Sequence, residues 1–249
     1  MALAYDHAAG TIRGTLKQIV ALRARLSKLT DPSEIPAVLN DAGVAPAAQP
    51  EDPVLNGLQG ALAAPILTVH LTNAGPGGIH RHVIDAGANA VCAAWSTARS
   101  DLAELSATPF PVLPALMARL VRFRPGTPPS PDAGVLEVSP ETIADLVAES
   151  PETRRTAWSS LGDQLGDSID REAADASWQV VEARCTWTAA EDGQPTEDLA
   201  VYLRAGDAYF VLIEKSMGFE LVPVPSITAW EVMVQVLPGA DEVKDPRQG

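Results

Sequence analysis

Only two cysteines, Cys92 and Cys185, occur in the 249 residues of this chain. That excludes a disulfide-stapled scaffold, and both are expected as buried free thiols in a reducing compartment. Aromatic residues make up only 5% of the chain, so alanine, valine and leucine must build its core from small aliphatic units. No apolar run approaches the roughly 18 residues that a membrane helix needs. The opening residues 1–7 hold no basic segment followed by an apolar one, so no secretory signal is expected and a cytoplasmic location is the default. Positive charge is also scarce: 18 Lys and Arg stand against 32 Asp and Glu, a net charge of −14. A chain so acidic repels phosphate backbones, which argues against general nucleic-acid binding. The imbalance lies in one half, since residues 1–130 sum to +1 (10 basic less 9 acidic) and residues 131–249 to −15 (8 less 23). Solubility or an acidic docking face accounts for that second half.

What the chain does have is one plan written twice. Residues 66–121 run as a strand at 67–71, a Gly/Pro turn at 73–78, a strand at 79–84, a turn at 85–89, a strand at 90–95 and a helix at 112–121. Residues 181–237 repeat this with strands at 181–187, 199–203 and 208–213 and a helix at 227–237. Ala86-Gly87 and Ala205-Gly206 fall at equivalent turns. Two copies are too few for a solenoid. The expected fold is therefore α+β, with two quasi-two-fold related β-β-β-α units, an antiparallel sheet and intervening helices. The expected division is an N-terminal helix and linker at 1–52, a first half at 53–130, connecting helices at 131–176, a second half at 177–238 and a frayed tail at 239–249, all in one body.

Outside the repeats, Ile12, Leu16, Ile19, Val20, Leu26 and Leu29 predict a helix over 11–29, with Arg13, Lys17, Arg23, Arg25 and Lys28 on its other face. An Ala/Pro-rich linker spans 43–53, and a short helix follows from Pro53 to Leu62. Ser139-Pro140-Glu141 and Ser150-Pro151-Glu152 are matching helix starts, with serine to cap, proline at the first helical position and glutamate at the positive helix end. The second helix carries Trp158, Leu161, Leu165 and Ile169 along one stripe and Asp163 and Asp167 towards its end. Trp178 falls on the polar parity of its strand, as core at the strand's start or as part of a binding patch.

Catalytic chemistry is nearly silent. Gly75-Pro76-Gly77-Gly78 lacks the lysine and the helix of a phosphate loop, and it sits between two strands. No nucleophile elbow, paired-histidine zinc motif or Cys-x-x-Cys occurs. The histidines are the one constellation. A hairpin register pairing Leu71 with Ile79 and Leu67 with Val83 would gather His70, His80 and His82 on one face. That makes them a weak candidate metal site, a pH-sensitive contact or simply a polar sheet face.

The run Ala42-Gly43-Val44, Asp52-Pro53-Val54-Leu55, Leu58, Leu62, Pro65 and the strand 66–71 resembles the EspG family. So do the hairpin at 75–78, His82-Val83-Ile84-Asp85-Ala86-Gly87, Ala90-Val91-Cys92, residues 113–120 and the strand at 218–225. That family comprises cytosolic chaperones of ESX (type VII) secretion systems in actinobacteria. The resemblance, over residues 40–238, implies an α+β fold of quasi-two-fold halves, no catalysis, no cofactor and binding of PE–PPE-like helical heterodimers before export. The start departs from it, with a basic helix where the family opens with an apolar strand. Partner binding is expected at Asn73, Pro76, Ile79, Trp158, Asp163 and Asp167, in a monomer or homodimer without membrane insertion. The alternative is a metal- or small-molecule-responsive binding protein that uses the histidine-bearing sheet face.

Overall fold

The computed structural model describes residues 3–6, 11–29, 31–44, 53–63, 65–87, 90–96, 102–130, 133–216 and 218–244. Its strands are β1 Ala4–Asp6, β2 Thr11–Thr15, β3 Leu67–Gly75, β4 Gly78–Ala86, β5 Ala90–Ser96, β6 Leu102–Pro109, β7 Leu136–Val138, β8 Gln179–Thr188, β9 Pro195–Ala205, β10 Ala208–Lys215 and β11 Gly218–Val224. They form one antiparallel sheet in the order β1-β2-β6-β5-β4-β3-β8-β9-β10-β11-β7. The repeat is plain in that order. β3 and β8 pair at the centre, and β4, β5, β6 on one side mirror β9, β10, β11 on the other, as a two-fold axis perpendicular to the sheet requires. Each unit thus carries a fourth strand, β6 or β11, before its closing helix.

The helices are α1 Leu16–Leu26, α2 Ile35–Asp41, α3 Pro53–Leu62, α4 Leu113–Leu120, α5 Pro140–Leu146, α6 Pro151–Leu165, α7 Arg171–Ser177 and α8 Ser226–Gln235. Side chains alternate along each strand, so both faces of the sheet present apolar rows to be covered. On one face α4 and α8, the symmetry-related closing helices, pack over the centre through Leu116, Met117, Ala229 and Met233 against Val69, Ile84, Val181 and Tyr202. On the other face α1 to α3 cover the first half through Ile19, Leu22 and Leu58 against Ile12 and Leu105. There α6 and α7 cover the second half, with Trp158, Leu161 and Ala174 packed near Val180, Leu203 and Phe210. The free thiols are buried in different layers, Cys185 under α4 and α8 and Cys92 under α1 to α3.

Both serine starts are built as expected. Ser139 accepts from the Thr142 amide and Ser150 from the Thr153 amide. Gly206 turns between β9 and β10 with φ +63°, and Gly87 follows β4 at a point where a Cβ would overlap the Gly60 carbonyl oxygen. The two alanines before these glycines face opposite sides of the sheet, since Ala86 joins the central core and Ala205 the core under α6 and α7.

The N-terminal expectation is corrected. Residues 11–15 are strand rather than helix: Ile12 pairs with Leu105 and is fully buried, while Thr15 caps α1 by accepting from the Gln18 amide. A β-branched, glycine-containing run of five residues gains more from the open edge of β6 than from another helical turn. Leu16 and Val20 consequently stay exposed, and Ile19, Leu22 and Leu26 form the buried stripe. Residues 239–244 of the tail run back beside β8, where the Lys244 amide donates to the Thr188 carbonyl. The linker residues 45–52 and the last five residues lie outside the described residues. Among the described residues, no helix is long and apolar enough to cross a membrane.

Candidate functional site

The β3–β4 hairpin closes tightly, with Gly75 opposite Gly78 and only Pro76-Gly77 between them. Leu67 therefore pairs with Ala86 and Leu71 with His82, three positions away from the expected register. An odd shift exchanges faces along one strand relative to the other. His70, opposite Val83, lies exposed on one face, while His80 and His82 lie on the other beneath α4 and α8. The three-histidine metal site does not form, and no cluster of three metal-ligating side chains occurs among the described residues. The expected register assumed one dry face. Helices cover both faces here, so alternation alone does not select the pairing.

His82 is 4% exposed and neither ring nitrogen has a hydrogen-bond partner. Burial, the neighbouring His80 and then Arg122 bring its pKa down from 6.5 to about 4. Burial and Arg122 lower that of His80 too. Both rings are held neutral in a locally cationic setting.

That setting is a polar cavity of about 250 Å³ under the hairpin. Asn73 and His80, opposite each other on β3 and β4, form one wall, and Gln179 and Arg204, opposite each other on β8 and β9, form another. Arg122, in the turn after α4, and Ser177, at the end of α7, complete the polar lining. Gln179 donates its side-chain amide to the Val121 carbonyl at 2.6 Å, which pins the turn carrying Arg122. Arg122 sits at φ +53°, a left-handed conformation that disfavours any residue with a Cβ. The Arg204 guanidinium, 9% exposed, reaches only the Arg122 and Ser177 carbonyls, each at 3.5 Å, and its Nε has no partner.

The expected partner-binding residues separate into three groups. Pro76 at the hairpin tip and Asp163 and Asp167 near the end of α6 are exposed. Asn73 is buried in the cavity wall and Ile79, opposite Ala74, is half-buried. Trp158 is no surface residue. It is 4% exposed, stacks on Trp178 with ring centroids 5.3 Å apart, and donates Nε1–H to Asp175 at 2.7 Å. Trp178 is thereby core. Asp163 meets Arg171 at 2.8 Å, and Arg171 also meets Asp175 at 2.8 Å, so part of the acidic cluster is spent locking α7 onto α6. The hairpin and the α5–α6 region do adjoin: Arg81 on β4 pairs with Glu149, between α5 and α6, at 2.6 Å.

Sequence reasoning missed an apolar groove of about 540 Å³ between α4 and α8, lined by Pro114, Ala118, Phe123, Ile227 and Trp230 among others. Ile227 is 59% exposed there. The available signal was an apolar residue on the outward side of a closing helix whose inward side is also apolar. The thiols offer no nucleophile: burial raises the pKa of Cys92, and burial followed by Asp198 raises that of Cys185 to about 12.

This arrangement has a likeness among solved structures. The chain is similar to EspG5, the type VII secretion system chaperone of Mycobacterium tuberculosis, solved in complex with the PE25–PPE41 dimer. The match covers 94% of this chain and all of that one, with a TM-score of 0.51 and 13% sequence identity. No protein-family model and no curated protein matches the sequence.

Proposed function

We propose that this chain is a cytoplasmic chaperone or adaptor of a type VII secretion system, which holds a helical PE/PPE-like protein or pair soluble before export. The observation that carries this reading is the shared fold, spanning nearly the whole chain, with a chaperone solved on such a dimer. In this role the chain performs no catalysis and needs no cofactor. A secreted helical pair exposes an apolar tip that would self-associate, and a chaperone must cover that tip reversibly. In this reading the partner covers the exposed Pro76 tip and the α5–α6 region, which the Arg81–Glu149 pair brings next to each other. Reversible capture calls for an interface of about 1,200–2,000 Å² with an apolar centre and a polar rim. In this reading Asp163 and Asp167, exposed near the far end of α6, contribute to that rim and set association rate and salt dependence more than affinity.

The test is co-expression with helical secreted pairs encoded beside this chain, followed by size-exclusion chromatography. Co-elution of a soluble ternary complex supports the reading. It fails if every such pair stays insoluble or elutes apart.

A further inference from the structure

We propose that the cavity beneath the β3–β4 hairpin binds a doubly charged oxyanion, inorganic phosphate or the phosphoryl group of a small phosphomonoester, between the guanidinium groups of Arg122 and Arg204. The site stands on its own geometry and does not require the chaperone reading.

The first argument is charge. In a chain of net charge −14, the lining of this cavity has two arginines and no acidic residue. Seven other arginines, Arg23 and Arg171 among them, have carboxylate partners. Among the described residues no carboxylate lies within ion-pairing distance of Arg122 or Arg204, although acidic groups are abundant elsewhere on the chain.

The second is burial. A charged guanidinium removed from water is costly unless it is paired and fully hydrogen-bonded. Arg204 is nine-tenths buried, yet it makes only two bonds at the 3.5 Å limit and leaves Nε free. An oxyanion in the cavity supplies the close, charged acceptor that the terminal guanidinium nitrogens lack. The planar guanidinium fork suits the tetrahedral oxygens of phosphate better than a point charge would.

The third is backbone. Arg122 occupies a left-handed conformation where glycine would sit unstrained. Such conformations persist where the surrounding structure fixes them and concentrate at ligand-binding positions. Here the Gln179 bond to the Val121 carbonyl does the fixing, and the result places a second cation at the rim. The cavity's 250 Å³ falls below the roughly 300–1,000 Å³ typical of drug-sized ligands, so the ligand is small.

The test is calorimetric titration of the full chain, dialysed into chloride buffer at low ionic strength, with sodium phosphate and separately with glycerol phosphate. One saturable site is expected, with a Kd of about 1 mM or tighter. Arg122→Gly removes the charge and the strain together, so it folds at least as stably while its affinity falls about tenfold or more. Arg204→Lys keeps the charge but loses the fork and weakens binding similarly, whereas Arg124→Gln, outside the cavity, leaves it unchanged. Tighter binding of glycerol phosphate identifies a phosphomonoester as the ligand, and tighter binding of phosphate identifies the free ion. Absence of saturation with both, or undiminished affinity in Arg122→Gly, overturns the proposal. Should Arg204→Lys fail to fold, Arg122→Gly alone decides.

Discussion

His82 makes the stability of this protein pH-dependent in a direction and over a window that the structure specifies. Its ring is buried without a hydrogen-bond partner, and the groups whose charge acts on it, His80 and Arg122, are cationic or potentially so. The folded-state pKa of about 4 lies below the ordinary 6.5, so between these values the unfolded chain binds the proton more tightly. Stability then rises with pH wherever the unfolded state holds more protons. The His82 contribution is intact above the unfolded pKa and is lost progressively as pH falls towards the folded one. Each pKa unit corresponds to about 1.4 kcal/mol, giving a ceiling of about 3 kcal/mol and a loss of about 2 kcal/mol by pH ~5. The assay is urea unfolding of the wild type and His82→Leu at pH ~7.5 and pH ~5. Carboxylates titrate in both proteins and cancel in the difference. Leucine also removes two unpartnered buried nitrogens, so the variant is expected to be at least as stable near neutrality. The wild type should lose about 2 kcal/mol more than His82→Leu across this interval. Equal losses in the two proteins would refute the reasoning.

The Arg23 guanidinium grips Asp85 through two 2.6 Å bonds, and Asp85 is 3% exposed. Asp85→Ala is therefore expected to cost about 3 kcal/mol in denaturant melts by stranding a part-buried arginine and loosening α1 from β4. A cost indistinguishable from that of an exposed pair such as Arg25–Asp41 would show that the clamp is not formed. Gly87→Ala drives a methyl group into the α3 backbone at Gly60 and should cost about 2 kcal/mol, measured by thermal melting. Cys92 and Cys185 should react with a thiol reagent only at the rate of unfolding, and rapid labelling of either in the native protein would contradict their burial.

The duplication was legible because strand alternation and turn composition are local. The same holds for the serine caps, which depend on residues three apart. Register was not legible. Residues 73–78 allow more than one hairpin closure, and the usual arbiter, a single dry face, is absent when helices cover both sides. β2 escaped notice because Ile12 fits a helical stripe with Leu16 and Ile19 as well as it fits a strand edge, and only the open side of β6 decides between them. β6 does alternate, Ala103, Leu105 and Ala107 against Glu104, Ser106 and Thr108, but two of its three apolar positions are alanine, a poor strand former, so the signal is weak. Trp158 was misplaced for a related reason: an aromatic on a glycine-weakened helix looks dispensable until Trp178, twenty residues on in sequence, stacks on it. The cavity residues, spread from Asn73 to Arg204, carry no spacing signal at all.

That spread bears on why two similar halves remain in one chain. Symmetry alone would give the sheet two equivalent hairpin ends, and here the ends differ. The β8–β9 turn carries Glu191 and Asp192 and is tied down by Val243 and Lys244 beside the strands. The β3–β4 turn is a bare Pro76-Gly77 over a cation-lined cavity. Asn73 and His80 come from the first half, Gln179 and Arg204 from the second, and Arg122 from the segment joining them. Neither half could assemble that cavity by itself, and two identical halves would assemble it at both ends or at neither. The central β3–β8 pairing supplies a rigid frame common to both units. The divergence of turns and flanking helices on that frame then puts a cation-lined cavity under one hairpin and two carboxylates on the turn of the other. An anionic ligand of that cavity thus meets it at one hairpin of the two, although the strand order beneath them is symmetric.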